Sequence, residues 1–245
     1  MHRPRYAIGF LLAPILFTLT FFAVACGGGG PEQNNIQKFF QSSRLRDNMT
    51  LGGMAMVAFN PNTDGIVENF SVVTVGEPQV QPLHLKEYAK AHEEAVKARD
   101  EQNKKQLAWQ NDHPDYTKVV EAQRKGLKLK GKDAETQVAW EKFREDSAAL
   151  EKKVSAAREQ LAAERSVADL SVNNPQNPVD PTEYDGEMTT KDYTISANIV
   201  TPDGKHVKKT LVVTLQQAKL KSDKGDITGK WIITKLKDVT GGATS

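Results

Sequence analysis

The segment from His84 to Leu170 constrains the fold more than any other part of the chain, because its composition is that of long helices. It is rich in Ala, Glu, Lys, Gln and Arg, has no glycine before Gly126 and contains one proline, Pro114. Such residue types favour helix, whereas glycine and proline interrupt it. The predicted helices are 85–111, 116–124 and 133–170.

These helices are expected to pair through narrow apolar seams. In the last helix, apolar residues recur in steps of seven and of three or four, at Phe143, Leu150, Val154, Ala157, Leu161 and Ala168. A weaker series in the first helix comprises Leu85, Ala89, Val96 and Leu107. Such spacing is typical of coiled coils. It predicts an antiparallel helical hairpin that reaches on the order of 40 Å into solvent, at about 1.5 Å per residue.

Strand patterns flank the helical segment on both sides. After it, alternating apolar and polar residues predict strands 193–199, 207–215 and 229–236 in an antiparallel meander, with a further strand near 187–190. Before it, the sequence predicts a short helix, 36–46, and two strands, 54–59 and Ile66–Val75, which the turn residues 60–65 would join as a hairpin.

Neither the first hairpin nor the meander is large enough to fold alone. Together they predict one α+β domain, a small antiparallel sheet with a short N-terminal helix, interrupted by the helical hairpin. The helix 36–46, the strand order and the closing run Gly229–Ile233 resemble the nuclear transport factor two-like family. That resemblance implies a cone-shaped sheet that could enclose a pocket.

The first residues have the pattern of a secretory leader. Arg3 and Arg5 precede an uncharged apolar run over 7–25, and small residues lead up to Cys26, the only cysteine of the chain. A basic start, an apolar centre and a small-residue cleavage site are typical of a signal peptide. An uncleaved transmembrane helix is the alternative, since the run has about the length of one span.

The run Ala23-Val24-Ala25-Cys26 resembles the lipobox of bacterial lipoproteins. The resemblance implies cleavage before Cys26 and acylation of its sulfur, and Gly27 after the cysteine implies the outer membrane in an organism that has one. Several acyl chains on one residue hold a protein stably on a bilayer. Gly27 to Gly30 would then form a flexible tether.

Familiar catalytic and metal-binding patterns are absent from the sequence. One cysteine excludes an internal disulfide framework, and the five histidines form no His-Glu-x-x-His motif. No Gly-x-Ser-x-Gly elbow is present. We therefore assign no catalytic residue, cofactor or metal, and the sequence favours a binding protein over an enzyme without excluding an enzyme.

Charge indicates a weak preference among partners. The net charge of +2 gives no general attraction to nucleic acid. Between Lys191 and Asp238, however, the sequence contains ten lysines and only five acidic residues. This surplus is either a solubilising face that protects sheet edges or a surface for anionic headgroups or an acidic partner.

Three aromatic residues of the helical segment are candidate partner contacts, namely Trp109, Tyr116 and Trp140. They could equally anchor the two helices to each other, because few other residues would do so. An exposed aromatic tip would instead favour a binding site.

The sequence thus predicts a lipid-anchored protein of the bacterial cell envelope, of binding or scaffolding type, with Cys26 as the lipidation site. The hairpin would be its contact arm, the bilayer and an envelope protein its partners, and nucleic acid not a partner. A small-molecule binder or enzyme with a pocket in the sheet, and a transport-adaptor-like envelope protein, are the alternatives.

The predicted segments are the signal peptide 1–25, the lipidated cysteine and tether 26–35, the first part of the α+β domain 36–82, the helical insertion 83–171, a Pro/Asn linker 172–182, the meander 183–239 and a tail 240–245.

Overall fold

The computed structural model describes residues 30–241. They form five α-helices, a short 3₁₀ helix (Pro181–Glu183) and one antiparallel sheet of six strands, so the α+β prediction is confirmed. The predicted signal peptide and Cys26 lie outside the described residues. The helices are α1 (Pro31–Leu45), α2 (Asn48–Gly52), α3 (Leu85–Asp112), α4 (Tyr116–Arg124) and α5 (Lys132–Val172). The strands are β1 (Ile66–Val75), β2 (Gln79–Leu83), β3 (Asp185–Val200), β4 (His206–Lys221), β5 (Ile227–Thr228) and β6 (Ile232–Asp238).

A long hairpin of β3 and β4 forms the centre of the sheet. The two strands pair without a register shift from Asp185 opposite Lys221 to Val200 opposite His206. β1 and β2 follow one another along the outer edge of β3, and β6 and β5 do the same along β4. The meander predicted from alternation is therefore present, and the further strand near 187–190 is the first half of β3.

The hairpin buries opposite faces at its two ends. Tyr193, Ile195, Ala197 and Ile199 are buried in the second half of β3, whereas Gly186 and Met188 are buried in its first half. Successive side chains of a strand point to opposite faces, and no bulge interrupts β3 and β4. The odd-numbered and even-numbered sets therefore form two separate cores.

Different elements cover the two cores. Ile36, Phe39 and Phe40 of α1 pack on the odd-numbered face. On the other face, the base of the helical segment packs against Met188 and Leu220 through Leu85 of α3 and Ala168 of α5. Polar residues lie between the two cores, where Thr190 pairs with Gln216.

The N-terminal segment differs from the prediction in two respects. First, α1 begins at Pro31, so it includes residues 31–35 that were assigned to the tether. Proline fits the first helical turn because the missing N–H has no partner there in any case. Second, 54–59 is not a strand that pairs with β1. Ala55 instead forms a single parallel bridge to Ile233 of β6, and β1 pairs with β3.

The sequence does not predict β2, because Pro78 and Pro82 are residues that commonly end a strand. Pro82 lies opposite Glu187 in an edge strand. An edge position tolerates proline, because the outward side of the strand needs no N–H donor.

The helices α3 and α5 lie antiparallel and form an arm, which we define as residues 85–172. His84 contacts Glu164 near the sheet, Arg99 contacts Glu151 farther out, and Ser147 donates a hydrogen bond to Gln106. α4 packs on α5 beyond these contacts. The 28 residues of α3 span about 42 Å at 1.5 Å per residue.

The face assignment is tested by neighbouring substitutions in β3. Ile195 is fully buried, whereas Ser196 lies on the opposite face. We expect Ile195→Ala to lower the free energy of unfolding by about 2–5 kcal/mol, through lost burial and an incompletely filled cavity. Ser196→Ala should change it by no more than about 0.5 kcal/mol. Chemical denaturation measures both, and equal losses would contradict the two-face arrangement.

Candidate functional site: the tip of the helical arm

Polar residues weaken the middle of the arm. The half-buried positions of α3 include His92, Arg99, Gln102 and Gln106, of which Arg99 and Gln106 contact Glu151 and Ser147 of α5. The Nε2 atom of Gln102 is buried and has no hydrogen-bond partner among the described residues. Polar residues at seam positions lower the stability of coiled coils, and a buried N–H without a partner costs about 1–3 kcal/mol. The seam therefore gives little to hold the distal ends of the helices together.

An aromatic cluster at the distal end supplies that contact. We define the tip as residues 107–143 and the aromatic cluster as Trp109, His113, Tyr116, Trp140 and Phe143. The ring centroid of Trp109 lies 6.2 Å from that of Trp140 and 5.4 Å from that of Phe143. Tyr116 lies 5.6 Å from Trp140. Aromatic pairs at these separations add about 0.5–1.5 kcal/mol each beyond area burial.

The break between α3 and α4 places His113 and Tyr116 in the aromatic cluster. Pro114 disfavours helix at the residue before it, and α3 ends at Asp112. The His113 ring stacks on Trp109 at 4.6 Å, and its Nδ1 lies 2.9 Å from the Trp109 carbonyl oxygen. Since a carbonyl only accepts hydrogen bonds, Nδ1 carries the hydrogen. Two residues on, Asp115 accepts a hydrogen bond from Lys118 and, with its charge, raises the pKa of Lys118.

The structure thus brings together the three aromatic residues that the sequence singled out. Trp140 is 9% exposed, and its indole Nε1 has no hydrogen-bond partner among the described residues. Trp109 and Tyr116 are half-buried. Beside Trp140 the surface forms a notch, lined by Val120, Gln123, Arg124, Trp140 and Arg144. The aromatic cluster holds the arm together and also reaches the surface at this notch.

A basic loop follows α4, at the point where the sequence predicts only a break between two helices. We define the basic loop as residues 124–132. It carries Arg124 and Lys125, Lys128, Lys130 and Lys132, all exposed, and no acidic residue. A count of charges in a nine-residue window would have found it, whereas composition averaged over the helical segment hides it.

Two glycines shape the basic loop. Gly126 has φ +67°, and the N–H groups of Gly126 and Leu127 donate to the carbonyls of Gln123 and Ala122. This is the Schellman arrangement, which ends a helix with a residue of positive φ. Gly131, with φ +64°, precedes the first turn of α5. At both positions a side chain would be strained by the backbone conformation, although neither lacks space for a Cβ.

The surplus of lysines on the sheet is partly neutralised. Five of the ten lysines between 191 and 238 lie within 4.0 Å of a carboxylate: Lys191, Lys205, Lys209, Lys219 and Lys221. Hydrogen bonds and charge from Asp226 and Glu187 raise the pKa values of Lys219 and Lys221, respectively. These pairs favour a solvated face over a binding surface.

The part of the chain that the structure describes contains neither a cluster suited to a metal ion nor a helix that could cross a membrane. No group of three His, Cys, Asp or Glu side chains in 30–241 is placed to hold a metal ion. No helix among the same residues is both long and apolar enough to cross a bilayer. The proposed lipidation site, Cys26, lies outside the described range.

Comparison with known proteins adds no relative. No family model, curated protein or solved structure matches this chain. The resemblances to the lipobox of lipoproteins and to the nuclear transport factor two-like family therefore stay predictions.

The role of the aromatic cluster is tested by Trp109→Ala, with Leu107→Ala as the matched control on the same helix. Trp109 contacts four other rings, whereas Leu107 is 60% exposed. We expect Trp109→Ala to lower the free energy of opening of the tip by about 3 kcal/mol and Leu107→Ala by less than about 0.5 kcal/mol. Hydrogen exchange measures this as lost protection over 107–143 with the sheet unchanged. Unaltered protection in the tip would contradict the assignment.

Proposed function

We propose that this chain is a lipid-anchored protein of the bacterial cell envelope, of binding or scaffolding type, and that its arm contacts a partner. The leader pattern and the single cysteine at its end support the anchor. In this proposal Cys26 carries the acyl chains, and a short tether after it holds the folded domain close to the membrane. From Cys26 to Pro31 the chain can span at most about 18 Å.

One observation carries the role of the arm: it begins and ends at the same place on the sheet. Leu83, the last residue of β2, pairs directly with Gly186 near the start of β3. Antiparallel neighbours of this kind can be joined by a turn of two residues. The connection between β2 and β3 therefore has no topological need for residues 84–184. Since the connection between the two strands does not require this long insertion, we expect its distal part to have a function of its own.

The construction of the tip supports a contact role. The aromatic cluster and the buried Val119 and Ala122 of α4 belong to neither core of the sheet. The tip thus holds its shape through its own contacts. Tryptophan, tyrosine and arginine dominate the energetics of many protein interfaces, and the notch combines Trp140 with Arg124 and Arg144. An envelope protein is the proposed partner.

The alternative of a ligand pocket in the sheet receives less support. The face that a cone-shaped fold would turn inward is covered by α1, whose Ile36 and Phe39 are fully buried against it. We therefore favour contact through the arm over catalysis or ligand binding in the sheet.

Site-specific photo-crosslinking in cells of the natural source tests the proposal. A photoreactive residue at Val120, which is 37% exposed and lines the notch, should form one discrete crosslinked species. The same residue at the exposed Ala163, near the base of α5, is the matched control and should not form it.

A shortened arm provides the second control. Removing 100–150 and joining Arg99 to Glu151 through a glycine-rich turn keeps the antiparallel pairing at the base, because these two residues face each other across the arm. The shortened chain should stay folded and membrane-bound while the partner is lost from its complexes. Identical crosslinks from Val120 and Ala163, or none from Val120, would contradict the contact role of the tip.

A further inference from the structure

Four of the five cations of the basic loop, all but Arg124, lie outside the notch, and the proposed protein contact does not explain them. The five cations occupy nine consecutive positions, and none forms an ion pair with a carboxylate of residues 30–241. Asp133 and Glu135, the next acidic residues along the chain, lie in the first turn of α5. Their negative charges interact favourably there with the positive end of the helix dipole.

The basic loop also exposes an apolar side chain between its cations. Leu127 is 56% exposed and lies between Lys125 and Lys128. Segments that dock on membrane surfaces combine cations, which attract anionic headgroups, with apolar side chains, which enter the interface. At such a surface Leu127 would add apolar contact with the interface to the electrostatic attraction of the cations.

Hydrogen bonds hold the backbone of the basic loop in place. The side chain of Gln137 on α5 accepts from the Leu129 N–H at 3.0 Å and donates to the Leu127 carbonyl at 3.3 Å. The cations are therefore presented by an ordered backbone, and docking would require less loss of conformational entropy than for a flexible segment.

We propose that the basic loop docks on the surface of a bilayer that contains anionic phospholipid. The proposal rests on the lipid anchor proposed above, because the anchor keeps the arm near bilayers. Charges in solution act over about 10 Å at 0.1 M salt, whereas the arm is about four times longer. Cations at the tip are therefore too far from a bilayer at the base of the arm to be attracted to it through solution. The tip must touch the bilayer that it recognises.

Energy transfer between two populations of vesicles tests this inference on the full chain. Thr117→Cys places a thiol on an exposed position of α4, outside the basic loop, and a donor dye is attached to it. The purified protein is inserted into phosphatidylcholine vesicles. Acceptor vesicles are then added, either of phosphatidylcholine alone or with a fraction of phosphatidylglycerol.

We expect energy transfer to the vesicles with phosphatidylglycerol only, and its loss between about 0.1 M and about 1 M salt as screening increases. Each Lys or Arg near an anionic surface strengthens binding roughly fivefold. Lys128→Gln with Lys130→Gln should therefore weaken binding to the acceptor vesicles about 30-fold. Lys152→Gln with Lys153→Gln, at exposed positions in the middle of α5, should weaken it less than about twofold.

Two results would overturn the inference: equal transfer to both kinds of vesicle, or equal losses in the two double variants. The number of dyes per chain shows separately whether Cys26 is acylated. One dye per chain indicates that Cys26 is blocked by acylation, and two dyes indicate a free Cys26 thiol and the failure of the anchor proposal. In that case the labelled chain is mixed with the acceptor vesicles directly, and the same comparison of variants decides the role of the basic loop.

Discussion

Unbroken pairing between β3 and β4 is the constraint on which the rest of the structure depends. Sixteen residues of each strand form one register, so side chains that alternate in sequence alternate strictly between the two faces. The buried set changes from even to odd positions between Met188 and Tyr193. Each half of the hairpin thus needs a cover on a different face. The helix α1 covers one half, and the base of the arm covers the other.

This division explains how a small sheet can carry a long arm. Leu85 and Ala168 are fully buried at the base of the arm and belong to the core around Met188 and Leu220. The base is thereby part of the folded sheet, while the polar middle of the arm depends on the aromatic cluster at its far end. A base packed into the sheet and a separately stabilised tip fit the proposed contact role, because a contact surface must be held at a fixed distance from its support.

Much of this architecture could be predicted from periodicity and composition, but the contacts that join distant segments could not. The helix Tyr116–Arg124 has the predicted bounds, since Pro114 and Gly126 define both ends locally. The failure at 54–59 has a different origin. That segment has strand composition, yet its one ladder contact is to Ile233, far along the chain. The three aromatic residues were recognised individually, whereas their common cluster depends on the register between α3 and α5. The basic loop is not evident from the helix pattern, because its two glycines indicate only a break and its charges average out over the helical segment.

The proposed membrane-held sheet with a contact arm requires acylation of Cys26, and intact mass with cell fractionation tests this requirement most directly. The full chain and Cys26→Ala are expressed in a bacterial host and compared. We expect the mature wild-type chain to begin at Cys26, to carry added acyl mass and to sediment with membranes, and the substitution to abolish the acyl mass and the processing. A full-length wild-type chain without acyl mass that stays membrane-bound in both forms would contradict the lipid anchor and indicate a transmembrane leader.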